Sequence, residues 1–374
     1  MNYQLTAFDS QKFRFWSFVS MVLLVFVHGY NLNERYLQPW STVNEPMTFT
    51  TYFEFLTANA LFRFRIPMLF IISGYLYALH DHKPYGQRTK KRFRTLFIPY
   101  LLWSAIGLLF TYWLETFQYG RNAVGATHML QIDEHRIFLH DYKWWEVIIR
   151  WILAPVPFQL WFIRVLFIYN LAYPAIRWLA TTKARFYFFP IVTILWLLTF
   201  GIGILEGEGL LFFSLGIWMQ KYGFDISTPK RWWKPLPWLM IFLITSFAKT
   251  TMAFYMNVQS LVEAIPFIIL HKLIVFSGLI AAWFGLNDVV KWFMQQRWFV
   301  KLSAFSFMIY ALHVPLITYA IDPVFALTDQ WQLYRLITYI GLSLVVILFC
   351  IVLGWLLRTI TPKVYSVLTG ERGL

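Results

Sequence analysis

The chain has 374 residues, of which 59% are hydrophobic, 21% aromatic and only 13% charged, with a formal net charge of +14. Soluble domains carry about 25% charged residues, so the solvating surface of a water-soluble enzyme or nucleic-acid-binding protein is missing, and Lys and Arg beside apolar runs read as topology signals. The single cysteine, Cys350, excludes an internal disulfide and a Cys-based metal site and reads as apolar filler.

Runs of about 20 apolar residues mark membrane-spanning helices. Ten are predicted, near 13–33, 53–79, 94–115, 158–179, 186–205, 208–222, 236–256, 261–286, 299–320 and 333–357, the sixth being the shortest. The expected fold is an all-α integral membrane protein, a single multi-pass domain over 1–374 with about ten helices in one bundle. The first run follows Lys12 and Arg14, but it is too long for a signal-peptide core and no small-residue cleavage site follows it. It therefore reads as a retained span. In the second run "FRFRIP" (62–67) brings Pro67, which removes a backbone donor and predicts a kink or break. The longest connection, 116–157, contains "WWEVIIRWIL" (144–153), an amphipathic or re-entrant interface helix ended by "APVP". With the N-terminus inside, 21 of the 32 Lys and Arg fall on inside segments and six on outside loops. Both termini are thus predicted to be cytoplasmic, with "KPYGQRTKKRFR" (83–94) as the strongest anchor.

Ionisable groups inside a membrane are expensive and functional by default. Those predicted within spans are His28, Arg63, Arg65, Arg164, Lys249, His271, Lys272 and His313, whereas Glu54, Glu115, Glu206, Glu208 and Glu263 fall at outer span ends. A buried excess of positive charge calls for an anion: a phosphate, a carboxylate or a developing oxyanion. At 1.5 Å per residue, His28 lies about 21 Å beyond Arg14 and His313 about 20 Å beyond Val300, which places the two histidines at a similar depth. Arg63 and Arg65 lie about 15 and 18 Å from Phe53. "YALH" puts Tyr310 and His313 three apart on one helix face. The plainer alternatives are an inter-helix hydrogen bond for His313 and snorkelling to headgroups for Arg63 and Arg65.

Six fragments, in order, resemble the membrane acyltransferase-3 family of bacterial O-acyltransferases. "FWSFVSMVLLVFVHGYN" (15–31) is similar to the family's first helix, whose histidine maps to His28. "FRIPMLFIISGYLYAL" (64–79) resembles the block of a basic residue, Pro, an aromatic and Ser-Gly-aromatic, with Ser73 as its serine. "KRFRTLFIPYLLWS" (91–104) resembles the basic run before a Pro-Tyr helix start, and "PFQLWFIRVLFIYNLAYP" (157–174) the Leu-Trp-Phe helix that contains Trp161. "LLFFSLGIWM" (210–219) and "KLSAFSFMIYALHVPL" (301–316) resemble the Phe-rich segment with its glycine and the late Ser-Phe, Tyr and His helix. One position departs from the pattern: many members carry arginine eleven residues before the histidine, where this chain has Ser17. Arg14 lies on the same helical face and is its expected replacement; a different donor or lost activity are the alternatives.

The resemblance implies transfer of an acyl group, from acetyl-CoA or another acyl-CoA, to a hydroxyl of an extracytoplasmic polysaccharide or its lipid-linked precursor. No tightly bound cofactor and no metal are expected. The implied setting is the bacterial cytoplasmic (inner) membrane, with the bilayer, the donor, a glycan acceptor and other polysaccharide-biosynthesis proteins as partners and no nucleic acid. Such chemistry needs a base for the hydroxyl proton and charge to stabilise an oxyanion. His28 fits the base. Arg63, Arg65, Ser73, Trp161, Tyr310, His313, Arg14 and Lys272 are the candidate substrate- and donor-binding residues. A polysaccharide exporter or flippase, with His28 lining its path, is the competing reading. The membrane-bound O-acyltransferases, which carry their own intramembrane histidine, are less consistent with the "SGY" block and the first-helix position of His28.

Overall fold

The computed structural model describes residues 5–34, 36–331 and 333–373, in which helices joined by loops make up the fold and one short hairpin is the only sheet among the described residues. The first helices are α1 Ala7–His28, α2 Phe49–Leu56, α3 Arg65–Leu79, α4 Tyr85–Arg92, α5 Ile98–Leu114, α6 Gln118–Gly125 and α7 Trp144–Ile152. Then come α8 Trp161–Leu171, α9 Tyr173–Thr181 and α10 Arg185–Leu197, followed by the antiparallel strands β1 Gly201–Ile202 and β2 Leu205–Glu206. The remainder is α11 Gly207–Lys221, α12 Pro235–Tyr255, α13 Leu261–Gly285, α14 Asn287–Gln295, α15 Arg297–Ser303, α16 Ser306–Thr328, α17 Tyr334–Ile360 and α18 Pro362–Thr369.

Seven stretches among the described residues are long and apolar enough to cross a membrane: Ala7–His28, Phe49–Leu79, Tyr85–Leu114, Arg231–Tyr255, Leu261–Gly285, Ser306–Thr328 and Tyr334–Ile360. The pair Phe158–Leu171 and Tyr173–Thr181, bent by 72°, makes an eighth if it counts as one span. The expected spans at 186–205 and 208–222 are instead α10 and α11, of 13 and 15 residues. At 1.5 Å per residue they are about 20 and 22 Å long, short of a hydrocarbon core of about 30 Å. The hairpin shortens α10 by taking the end of its apolar run out of the helix.

The break expected near Pro67 is present. Helix α2 runs into a π-helical turn, Thr57–Leu61, the chain leaves the helix over Phe62–Phe64, and α3 starts at Arg65. Pro67 is the third residue of α3, where its missing N–H has no intrahelical partner to lose. The "WWEVIIRWIL" segment forms α7, with Trp144, Trp145, Ile148 and Ile149 exposed. It lies along α5, whose Ser104 and Tyr100 hydroxyls donate to the carbonyls of Trp151 (2.6 Å) and Ile152 (2.7 Å). Near the end of α3, Asp81 joins Arg88 (3.1 Å), Arg177 (2.8 Å) and Lys221 (2.7 Å). Burial alone would raise its carboxyl, but the hydrogen bond and charge of Lys221, with Arg177, hold it below the usual carboxylate range.

The tightest helix pair is α3 on α11. A β-carbon at Gly74 would lie 2.1 Å from the Phe213 carbonyl oxygen, and one at Gly216 would lie 2.2 Å from that of Ile71. Lipid gives apolar helices no hydrophobic reason to associate, so close backbone approach at small residues supplies the packing. Gly74→Val should destabilise the protein by on the order of 3 kcal/mol, seen as a lower melting temperature and loss of the monodisperse size-exclusion peak. Gly86→Ala, with no atom within 4 Å of the added carbon, should leave both unchanged.

Candidate functional site

His28 is the last residue of α1, and Gly29 closes the helix with its N–H on the Phe26 carbonyl (3.3 Å). A β-carbon at Gly29 would fall 2.6 Å from Ser343 Oγ and 2.8 Å from Ile317 Cδ1. Glycine therefore lets the end of α1 press against α16 and α17. The His28 ring lies edge-on to Phe158 (4.9 Å) and stacks on His313, with centroids 5.5 Å apart and planes at 24°. His313 is fully buried, and its Nδ1 donates to the Ile309 carbonyl (2.9 Å), because a carbonyl can only accept. Its Nε2 then carries a lone pair, and among the described residues that atom has no hydrogen-bond partner.

A distortion of α16 sets this arrangement. Val314 leaves the helical region (φ −107°, ψ 133°) just before Pro315, which has no N–H to return to the preceding turn. The loosened carbonyls are collected by one side chain: Gln159 Nε2 donates to Tyr310 (3.2 Å), Ala311 (3.1 Å) and Val314 (3.3 Å). The Tyr310 hydroxyl in turn donates to the Gln159 carbonyl (2.6 Å). Gln159 is 2% exposed, so each of these bonds is made away from bulk water.

His28 opens onto a cavity of about 300 Å³, whose wall includes Tyr30, Tyr36, Arg63, Arg65, Phe158, Gln159, Trp161, Glu206, Glu208, His271 and Tyr310. Arg63 and Arg65 reach it from the break between α2 and α3. Each spends one guanidinium nitrogen on a backbone carbonyl, Arg63 on Leu37 (2.8 Å) and Arg65 on Phe62 (2.7 Å). Among the described residues their Nε atoms have no partner. Burial pushes the Tyr30 phenol up to about 12, which keeps it protonated at neutral pH.

The structure thus gathers His28, Arg63, Arg65, Trp161 and Tyr310 around one space and sets His313 behind His28. Three expected site residues lie elsewhere. Ser73 is eight residues beyond Arg65, about 12 Å along α3, and is absent from the cavity wall; its neighbour Gly74 is there for packing. Lys272 follows His271 directly, and successive helical residues point about 100° apart. His271 faces the cavity, while the Lys272 ammonium lies 5.1 Å from the Trp196 ring, in a separate groove of about 790 Å³. Arg14 sits near the other end of α1, where it donates to Ser303 Oγ (2.8 Å) and the Val300 carbonyl (2.6 Å), fastening α15.

Among the wall residues that sequence reasoning missed are Glu206, Glu208 and Gln159. Glu206 and Glu208 read as span-end acids, but the β1–β2 hairpin folds the chain back and brings both into the wall of the cavity that holds the arginines. The cavity therefore carries part of its own counter-charge. Burial first, then Glu208, raises the Glu206 carboxyl to about 7, with Lys272 opposing, so Glu206 exchanges its proton near neutrality. Gln159 was a lone amide in an apolar fragment, and its only signal was that a buried amide must find partners.

The acyltransferase-3 family model, described as an acyltransferase domain, matches residues 11–358. The chain is 24% identical over 368 residues to the succinoglycan biosynthesis protein ExoH of Rhizobium meliloti (strain 1021), covering 93% of this chain and 89% of that protein. No solved structure matches. On the geometry above, Gln159→Leu leaves three α16 carbonyls without their donor and should lower stability by about 1–3 kcal/mol. Thermal unfolding of the purified protein checks this, and an unchanged melting temperature would contradict the role given to Gln159.

Proposed function

This chain belongs to the acyltransferase-3 family, and from that premise we propose that it is an integral-membrane O-acyltransferase acting on a carbohydrate. In this reading the acyl group comes from acetyl-CoA or another acyl-CoA on the cytoplasmic side. The acceptor is a hydroxyl of an extracytoplasmic polysaccharide or of its lipid-linked precursor. The protein sits in the bacterial cytoplasmic membrane with both termini inside.

The observation that carries the proposal is His28 stacked on buried His313 at the edge of a cavity that also presents Arg63 and Arg65. His28 takes the hydroxyl proton as the oxygen bonds to the thioester carbonyl carbon, and the arginine N–H groups stabilise the negative charge that develops. His313 and Phe158 hold the His28 ring on two sides, so the base is oriented before substrate arrives. Glu208 tempers the arginines, so an anion is attracted with less unbalanced charge left when the site is empty.

The relative named above is a succinoglycan biosynthesis protein, which supports a polysaccharide acceptor. Cavity size separates transfer from export. About 300 Å³ lies at the lower end of small-molecule sites and suits a reacting thioester and hydroxyl better than a translocated glycan.

His28→Ala, at matched membrane abundance, should reduce the acyl content of the host's surface glycan by 10²-fold or more, read by mass spectrometry. Unchanged acylation would overturn the assignment of His28 as base and favour the exporter.

A further inference from the structure

The proton accepted by His28 has a counterpart that the reading above leaves unassigned: the departing sulfur. In a dry site an unpaired thiolate is unfavourable, and one wall residue, His271, belongs to a polar pair that no step yet uses. Lys249 of α12 is fully buried, and its Nζ donates to the Asn59 carbonyl (2.9 Å) in the π-helical turn Thr57–Leu61. The same Nζ lies 3.1 Å from His271 Nδ1. With Lys249 as the ammonium, which has only N–H groups to offer, Nδ1 accepts in this contact and the ring proton sits on Nε2. His271 is 5% exposed and forms part of the cavity wall with His28. With Nδ1 turned to Lys249, Nε2–H is the polar edge left for that space. The charged groups facing His271 are Lys249, Arg63 and Lys272, all cations.

We propose that His271 is the acid of this site, donating its Nε2 proton to the leaving sulfur while Lys249 supplies a proton to Nδ1. The inference rests on the acyl-transfer reading and deepens it. The hydroxyl oxygen bonds to the carbonyl carbon as His28 takes the hydroxyl proton. The tetrahedral adduct collapses, the C–S bond breaks and its electron pair goes to sulfur. Sulfur takes the Nε2 proton of His271, and Lys249 passes one of its own to Nδ1. The products are the ester and the free thiol, with His28 protonated and Lys249 neutral. Return of the His28 proton through water in the emptied cavity to His271 Nε2, with the Nδ1 proton passing back to Lys249, resets the site with no net gain or loss. Asn59 fixes Lys249, and the π-helical turn that offers its carbonyl runs directly into the break from which the arginines enter.

The test uses the full-length protein in nanodiscs, with the host's unacylated polysaccharide as acceptor and two donors: acetyl-CoA, and the acetyl thioester of 4-nitrothiophenol, whose thiol leaves readily as an anion. His271→Gln should lower kcat with acetyl-CoA by about 10²-fold with little change in its KM, and by less than about threefold with the aryl thioester. Lys249→Met, which keeps the imidazole but removes its proton source, should show the same donor dependence. It serves as the second variant if His271→Gln fails to fold. An equal loss with both donors, a change confined to KM, or unchanged kcat with acetyl-CoA would each overturn the assignment. If the native protein accepts neither donor and matches His28→Ala, the acyl-transfer reading itself fails.

Discussion

Burying positive charge inside an apolar bundle is the constraint around which this molecule is arranged. Moving an ion out of water costs several kcal/mol even after relaxation, and hydrogen bonds to charged groups return about 1.5–3 kcal/mol each. Arg65, Lys249 and Lys272 are all nine-tenths buried or more. The chain meets much of this demand with irregular backbone. The π-helical turn gives the Asn59 carbonyl to Lys249, the break after it gives Phe62 to Arg65, and the loop after α1 gives Leu37 to Arg63. Non-helical backbone at membrane depth is tolerated only where it is buried in protein or lines a cavity, and here it does both. One break in one helix thus places the arginines and helps to satisfy them.

The histidine side of the cavity follows the same logic with the polarity reversed. There the distortion of α16 loosens acceptors, and Gln159 is the donor that gathers them. Its anchoring by Tyr310 ties the loop before α8 to α16 and holds His313 against His28. Two irregularities, one in α2–α3 and one in α16, therefore face each other across about 300 Å³. The regular helices around them act as a frame, locked where Gly74 and Gly216 bring α3 and α11 into backbone contact.

Much of this was legible in the sequence because charges and prolines in apolar runs are rare events with few explanations. His28, Arg63, Arg65 and the break beside Pro67 stand out on those grounds alone, Tyr310 through its spacing from His313, and Trp161 through the family resemblance. What could not be read was direction. Lys272 and His271 are neighbours in sequence, and only the helix rotation set by tertiary packing decides which of them meets the cavity. Glu206 and Glu208 sit at an apparent span end, and nothing local shows that a two-residue hairpin turns them back toward the arginines. The ten expected spans exceed the seven or eight described stretches long and apolar enough to cross, for a related reason. Hydropathy registers the apolar character of 186–205 and 208–222, but not the lengths at which α10 and α11 stop. Gln159 needed the carbonyls of a helix about 150 residues away before its purpose could be seen.

In the proposed function, one cavity brings a donor from one face of the membrane to a hydroxyl from the other. Sided proteoliposomes test it most directly, with radiolabelled acetyl-CoA supplied only on the face bearing the "KPYGQRTKKRFR" segment and unacylated host polysaccharide only on the opposite face. Labelled polysaccharide, formed while the vesicles remain sealed to both compounds, is the expected result. Label transfer only when donor and acceptor share a compartment would contradict it.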